Sequence, residues 1–271
     1  MSRRNYQQLA VALLLSALTV KAQIPKVNLA RGFESATVDP QLTNQSAILV
    51  SITADEQVYI GSELVAESDL SNRIARALTE HTSGPNKLIY IAIDRAAIYK
   101  VVVRVLNIIR EQGIGHIALV VDRHSSGQPL MGVFRLFVPT PLREGDDISK
   151  LKPNPLTLVA AIDGNLELTL NHDRAGRPGQ LCFDAVPHGL DSDPSRLRNW
   201  LTCLFRYRTQ QRAYRSGMET RRDLPLEQRI EKTVFVKSPL SAKYIDLLRV
   251  INAVTAAKAD PIGLQIDDLP K

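Results

Sequence analysis

The chain has 271 residues, 44% of them apolar and 23% charged, a balance that excludes a disordered or fibrous protein. Its length leaves room for one large domain or two small ones. The net charge of +6 permits contact with anionic lipid, wall polymer or nucleic acid without selecting among them.

The N-terminus starts with a basic "MSRR", followed by an uninterrupted apolar run, Leu9 to Val20, "LAVALLLSALTV". Val20 and Ala22 suit a small-x-small cleavage site that would leave Gln23 first, so residues 1–22 read as a cleaved signal peptide. As a helix the run spans roughly 18 Å, against about 30 Å of hydrocarbon. The alternative is a short inner-membrane anchor over residues 9–20, with Tyr6 and Ile24 at the two interfaces. Both readings put the body of the protein in the periplasm. Residues 23–45 read as a linker.

Ala47 to Ile60, "AILVSITADEQVYI", is two apolar runs around Ala54-Asp55-Glu56 and predicts a hairpin. A helix is expected from Ser68 to His81, with Leu70, Ile74, Ala77 and Leu78 on one face and Ser68 as its N-cap. "KLIYIAID" (Lys87 to Asp94) reads as a strand, "AAIYKVVVRVLN" (Ala96 to Asn107) as helix, and "HIALVVD" (His116 to Asp122) as a further strand. "MGVFRLFV" adds one more strand to this unit, and the proline- and charge-rich residues 139–154 read as a linker.

The pattern then recurs. Leu156 to Leu170, "LTLVAAIDGNLELTL", is a hairpin around Asp163-Gly164-Asn165. After an insertion over Asn171 to Ser192, Asp193-Pro194 opens a helix that carries Leu197, Leu201 and Leu204 on one stripe. This helix runs on into a second insertion, the basic region Phe205 to Glu231. "KTVFVKSP" (Lys232 to Pro239), "SAKYIDLLRVIN" (Ser241 to Asn252) and "PIGLQID" (Pro261 to Asp267) repeat strand, helix, strand. At an offset of 145, Ala97, Tyr99, Arg104, Val105 and Asn107 meet Ala242, Tyr244, Arg249, Val250 and Asn252. The expected fold is α+β. Two tandem small domains, 46–138 and 155–271, each run strand-strand-helix-strand-helix-strand, with two helices on one face of a mixed sheet. A unit this small buries only about 60% of its unfolded surface, so each gains from a neighbour. An intramolecular pseudo-dimer or a homodimer would supply one.

The unit resembles the periplasmic domain of the ExbD/TolR family of biopolymer-transport proteins. The resemblance rests on the hairpin around "ITADEQVYI", the strand "LIYIAID", the helix "YKVVVRVLNIIREQGI" and the strand "HIALVVD", over roughly residues 46–123 and 155–270. Asp94, Tyr99 and Gly113 stand where the family shows an acid, a helix-opening tyrosine and a glycine. The second copy keeps Tyr244 but has Ser238-Pro239 near the acid and Lys258 in place of the glycine. The resemblance implies an envelope component that works with an ExbB-like motor subunit and touches a TonB-like protein or peptidoglycan. It also implies an aspartate inside the membrane helix, yet "LAVALLLSALTV" holds no Asp or Glu. A proton relay needs an intramembrane carboxylate, so proton conduction is not carried over. The alternative is a soluble periplasmic module binding peptidoglycan or a partner protein.

Tyr99 and Tyr244 are candidate partner contacts, or else rings packed on the sheet with their hydroxyls in water. Arg206, Arg208, Arg212 and Arg215 are further candidates, in "RYRTQQRAYRSGMETRR" with Tyr207 and Tyr214 interleaved. For an exported chain, a solvated helix or a contact with lipid or an acidic polymer suits them and nucleic acid does not. Cys182 and Cys203 either pair in an oxidising compartment or pack as two small buried side chains. With His172 and His188 they form no tight ligand spacing, so no metal is expected. No cofactor, catalytic residue or enzyme activity is expected: a nucleophile elbow is absent, and "GIGHIA" follows a helix and precedes a strand, the reverse of a dinucleotide-binding order.

Overall fold

The computed structural model describes residues 27–43, 47–81, 88–124, 130–139, 158–162, 168–171 and 194–266. The signal or anchor segment, the second linker and the first insertion of the second unit lie outside these residues. The elements of the first half are β1 (Ile48–Ile52), β2 (Val58–Ile60), β3 (Glu63–Val65), α1 (Glu67–His81), β4 (Ile89–Ile93), α2 (Tyr99–Glu111), β5 (His116–Asp122) and β6 (Met131–Phe137). Those of the second are β7 (Leu158–Ile162), β8 (Leu168–Asn171), α3 (Pro194–Gln210), the single turn α4 (Leu226–Arg229), β9 (Val234–Lys237), α5 (Tyr244–Ala256) and β10 (Ile262–Gln265).

All ten strands join one sheet, in the order β3-β2-β1-β4-β5-β6-β10-β9-β7-β8. The two halves pair in the same way. β1 is antiparallel to β2 and parallel to β4, which is parallel to β5. β7 is antiparallel to β8 and parallel to β9, which is parallel to β10. The halves meet edge to edge through the added strand β6, antiparallel to β5 over seven residue pairs and parallel to β10 at the single pair Phe137–Gly263.

Strand alternation sends one set of side chains to the helices. Ile89, Ile91 and Ile93 of β4, Ile117, Leu119 and Val121 of β5, and Val234 and Val236 of β9 share one core with α1, α2, α3 and α5. Leu197, Leu201 and Leu204 face that core as their spacing predicts. The opposite set, Tyr90, Ala92, Ala118, Val120 and Val133, makes a second cluster on the other face.

Two features depart from the expectation. The strand β3 follows the hairpin after a turn at Gly61, whose φ of 61° is the left-handed conformation that glycine accepts without strain. Residues 27–43 are no free linker. The Asn28 amide donates to the Asp94 carboxylate, and the Thr37 backbone pairs with Val133 of β6. Phe33 packs edge-on against Phe134 with ring centroids 6.0 Å apart. Leu42 then packs on the second cluster, so the segment wraps from the helix face to the opposite face.

Candidate functional site

The first candidate site is the seam between the halves. The chain turns from strand into helix in the same way twice: Ala97 N donates to Asp94 O and Ala242 N to Pro239 O, each at 3.0 Å. The two helix starts then exchange hydrogen bonds. Tyr99 N donates to Ala242 O and Tyr244 N to Ala97 O, both at 2.9 Å. Donor and acceptor swap between residues 145 apart, so a local two-fold axis passes between Ile98 and Lys243, which form an isolated β-bridge.

Tyr99 and Tyr244 are thereby buried, at 1% and 0% exposure. Burial, and then the neighbouring Tyr99, push the Tyr244 hydroxyl well above the usual phenol range. Their hydroxyls are not in water, and neither ring is open to a partner from outside: both lie where one half of the chain meets the other. Asp94 is buried too, and accepts from the Asn28 and Ala96 amides, so the acid after β4 anchors the wrapping segment to the turn before α2.

The second candidate lies on the opposite face. Asp39, buried at 7% exposure, accepts from the Tyr90 hydroxyl at 3.0 Å, from Arg135 at 2.7 Å and from the Gln41 amide at 3.0 Å. Burial works against its negative charge, but Arg135 and the two neutral donors outweigh it and hold its carboxyl below the usual range. Burial, then Asp39, push Tyr90 up to about 12. Arg135 also lines a cleft of about 600 Å³ at the seam, together with Gln41, His116, Phe137, Asp260 and Pro261. Its walls mix polar groups with the apolar side chains of Leu88, Ile114 and Leu136.

The third candidate is the arginine-rich extension of α3, where the four candidate arginines divide by environment. Arg208 is buried and donates to Glu231 O at 2.9 Å; burial pulls its pKa down to about 10, against the pull of the Glu231 carboxylate. Arg215 donates to Asp260 O, and its own amide bonds Arg229 O at 2.7 Å. Both hold the loop down. The Arg229 guanidinium sits over the Tyr214 ring, 5.1 Å from its centroid, and Tyr214 bridges Ile230. Arg206 and Arg212 are exposed. Helical spacing carried part of this division: Arg208 stands four residues after Leu204, on the stripe of Leu197 and Leu201, and Arg206 does not.

Cys203, on α3, is disulfide-bonded, which makes it no metal ligand; Cys182, His172 and His188 lie outside the described residues. Among the described residues no cluster of His, Cys, Asp and Glu could hold a metal ion, and no helix is long and apolar enough to cross a membrane.

Residues 9–124 match the family described as biopolymer transport protein ExbD/TolR. The match begins at the apolar run, continues through the wrapping segment and ends two residues past β5. No curated protein and no solved structure matches the chain.

Proposed function

We propose that this chain, whose residues 9–124 carry the ExbD/TolR family pattern, serves in the cell envelope as a biopolymer-transport component that does not itself conduct protons. The observation that supports the reading is the extent of the match. It covers the apolar run together with the first αβ unit, the two parts that such a subunit combines. The run has no Asp or Glu, and leucine cannot take up and release a proton in its place.

The second half, 155–271, acts as a second domain of the same kind. The chain then carries its own dimer partner, at the high effective concentration that covalent linkage provides. An ExbB-like motor subunit would hold it by the N-terminal segment, and a TonB-like protein or peptidoglycan would meet the folded part.

A tagged full-length chain, purified from envelopes in mild detergent, should bring down an ExbB-like subunit. Replacing residues 9–20 by another apolar run of equal length should preserve that recovery only if the segment acts as a plain anchor. Release of a chain beginning at Gln23 into the soluble periplasm, with peptidoglycan and no motor subunit attached, would refute the transport reading. It would instead favour a soluble wall- or protein-binding module.

A further inference from the structure

We propose that residues 194–230 form a docking surface for an anionic phospholipid bilayer; the choice of a membrane rests on the envelope placement proposed above. The stretch holds nine arginines, no lysine and three acids. Its surplus of six equals the net charge of the whole chain, so 25 basic residues balance 25 acids everywhere else. The positive charge of this protein is thus concentrated in one stretch of 37 residues.

The structure sorts these arginines into supports and free ends. Arg208 and Arg215 hold the loop, Arg229 stacks on Tyr214, and Arg221 pairs with Asp223 at 2.8 Å. Arg198 and Arg206 stand on the solvent side of α3, with Arg212 and Arg222 on the loop that follows; all four are exposed, and none has an acid partner among the described residues. The corresponding helix of the first half behaves otherwise. On α1, Arg73 pairs with Glu63 and Arg76 with Glu80. Leaving four guanidinium groups unneutralised costs self-repulsion unless an anionic surface relieves it.

Guanidinium geometry suits phosphate, which it meets through two parallel hydrogen bonds. The half-exposed Met218 and Leu224 between the arginines add apolar area that a headgroup region accepts and a hydrated polymer does not. A fluid bilayer also lets phosphates move to fixed guanidinium positions. The loop is fixed here by the Tyr214–Ile230 bridge and the bond from Glu231 N to Ala213 O.

The test is co-sedimentation of the full-length protein with phosphatidylcholine vesicles, and with vesicles containing about a third phosphatidylglycerol. The readout is the difference between the two, because any insertion of the N-terminal apolar run is common to both. Binding should be stronger to the anionic vesicles and should lose that excess when salt is raised to about 0.5 M. In R198Q/R206Q/R212N/R222Q, with asparagine at 212 because φ there is 53°, the excess should fall about fivefold for each arginine that touches the surface. The melting temperature should stay unchanged. Equal binding to both vesicles, or an undiminished excess in the variant, overturns the proposal. So does arginine-dependent binding to soluble polyphosphate or to peptidoglycan without binding to anionic vesicles. Vesicle binding with no motor subunit recovered would count against the transport reading alone, and the converse against this surface alone.

Discussion

At the scale of single residues, Gly113 and Lys258 do the same work with different fitness. Each follows its helix in the left-handed region, at φ 77° and 67°, and each amide bonds the carbonyl three residues back, Arg110 and Thr255. Glycine adopts this conformation freely, whereas a Cβ crowds the following carbonyl there. Lys258 is exposed, so its side chain loses no packing when removed. Lys258→Gly should therefore stabilise the protein by about 0.5–1 kcal/mol, and Gly113→Ala should cost about 1 kcal/mol. Paired urea melts would read both, and a destabilised K258G would disprove the strain argument. Tyr244 poses a different question. Its hydroxyl is fully buried and has no hydrogen-bond partner among the described residues. Tyr244→Phe should leave stability equal or raise it by up to about 1 kcal/mol, since deleting an unsatisfied polar group removes a desolvation cost. A loss of 2 kcal/mol or more would reveal a bonded hydroxyl.

At the scale of elements, the wrapping segment 27–43 depends on Asp39. Its carboxyl titrates below the ordinary value of 3.8 because Arg135, the Gln41 amide and the Tyr90 hydroxyl favour the charged form. A depressed pKa stabilises the fold above the unfolded value and loses that contribution as pH falls through the folded one. Asp39→Asn should cost about 1–2 kcal/mol near pH 7, the lower end because Arg135 is largely exposed. The gap between wild type and variant should close as pH drops below 3.8. A gap independent of pH would mean that shape, not charge, holds the segment. This segment was the least legible part of the chain. It is short and aperiodic, and its bonds run to residues 51 to 217 positions away, as from Tyr90 to Asp39 and from Ser35 to Asn252. β3 escaped notice for a related reason: three residues, two of them exposed, show no alternation to read. The helices and the longer strands were legible because burial imposes a period on them. α2 and α5 begin at the two tyrosines that mark the repeat. The repeat could be read as a likeness between two helices, but not as the contact between them. The likeness lies in the residue types, while the contact is made by backbone amides and carbonyls that any residue offers.

At the scale of the molecule, two units that resemble each other must also hold together, and little of the sheet does that. β6 and β10 share one residue pair, against seven between β5 and β6. Other links among the described residues include the two reciprocal bonds between helix starts, the bond from Lys100 N to Leu240 O at 2.9 Å, the Ser35 hydroxyl on Asn252 O at 3.2 Å, the Phe137 and Phe235 rings, edge-on at 5.1 Å, and the apolar core that the helices share. Gly263 sits beneath those rings. A Cβ on it would lie 2.6 Å from the Phe235 ring and 2.8 Å from that of Phe137. Both distances are below any real carbon contact, so a larger residue must part the rings or shift β10. Gly263→Val should cost at least about 2 kcal/mol, in the range of an overpacked core. More tellingly, it should separate the two halves in their unfolding. Units this small are marginal alone, so the intact protein should unfold in one cooperative step. With the seam pried open, amides of β7 and β9 should exchange with deuterium well before those of β1 and β4, through a partial opening that the wild type does not populate. If β9 and β4 remained protected alike in the variant, coupling would run through the helix starts. The reciprocal pair at Tyr99 and Tyr244 would then be what makes the two halves one folding unit.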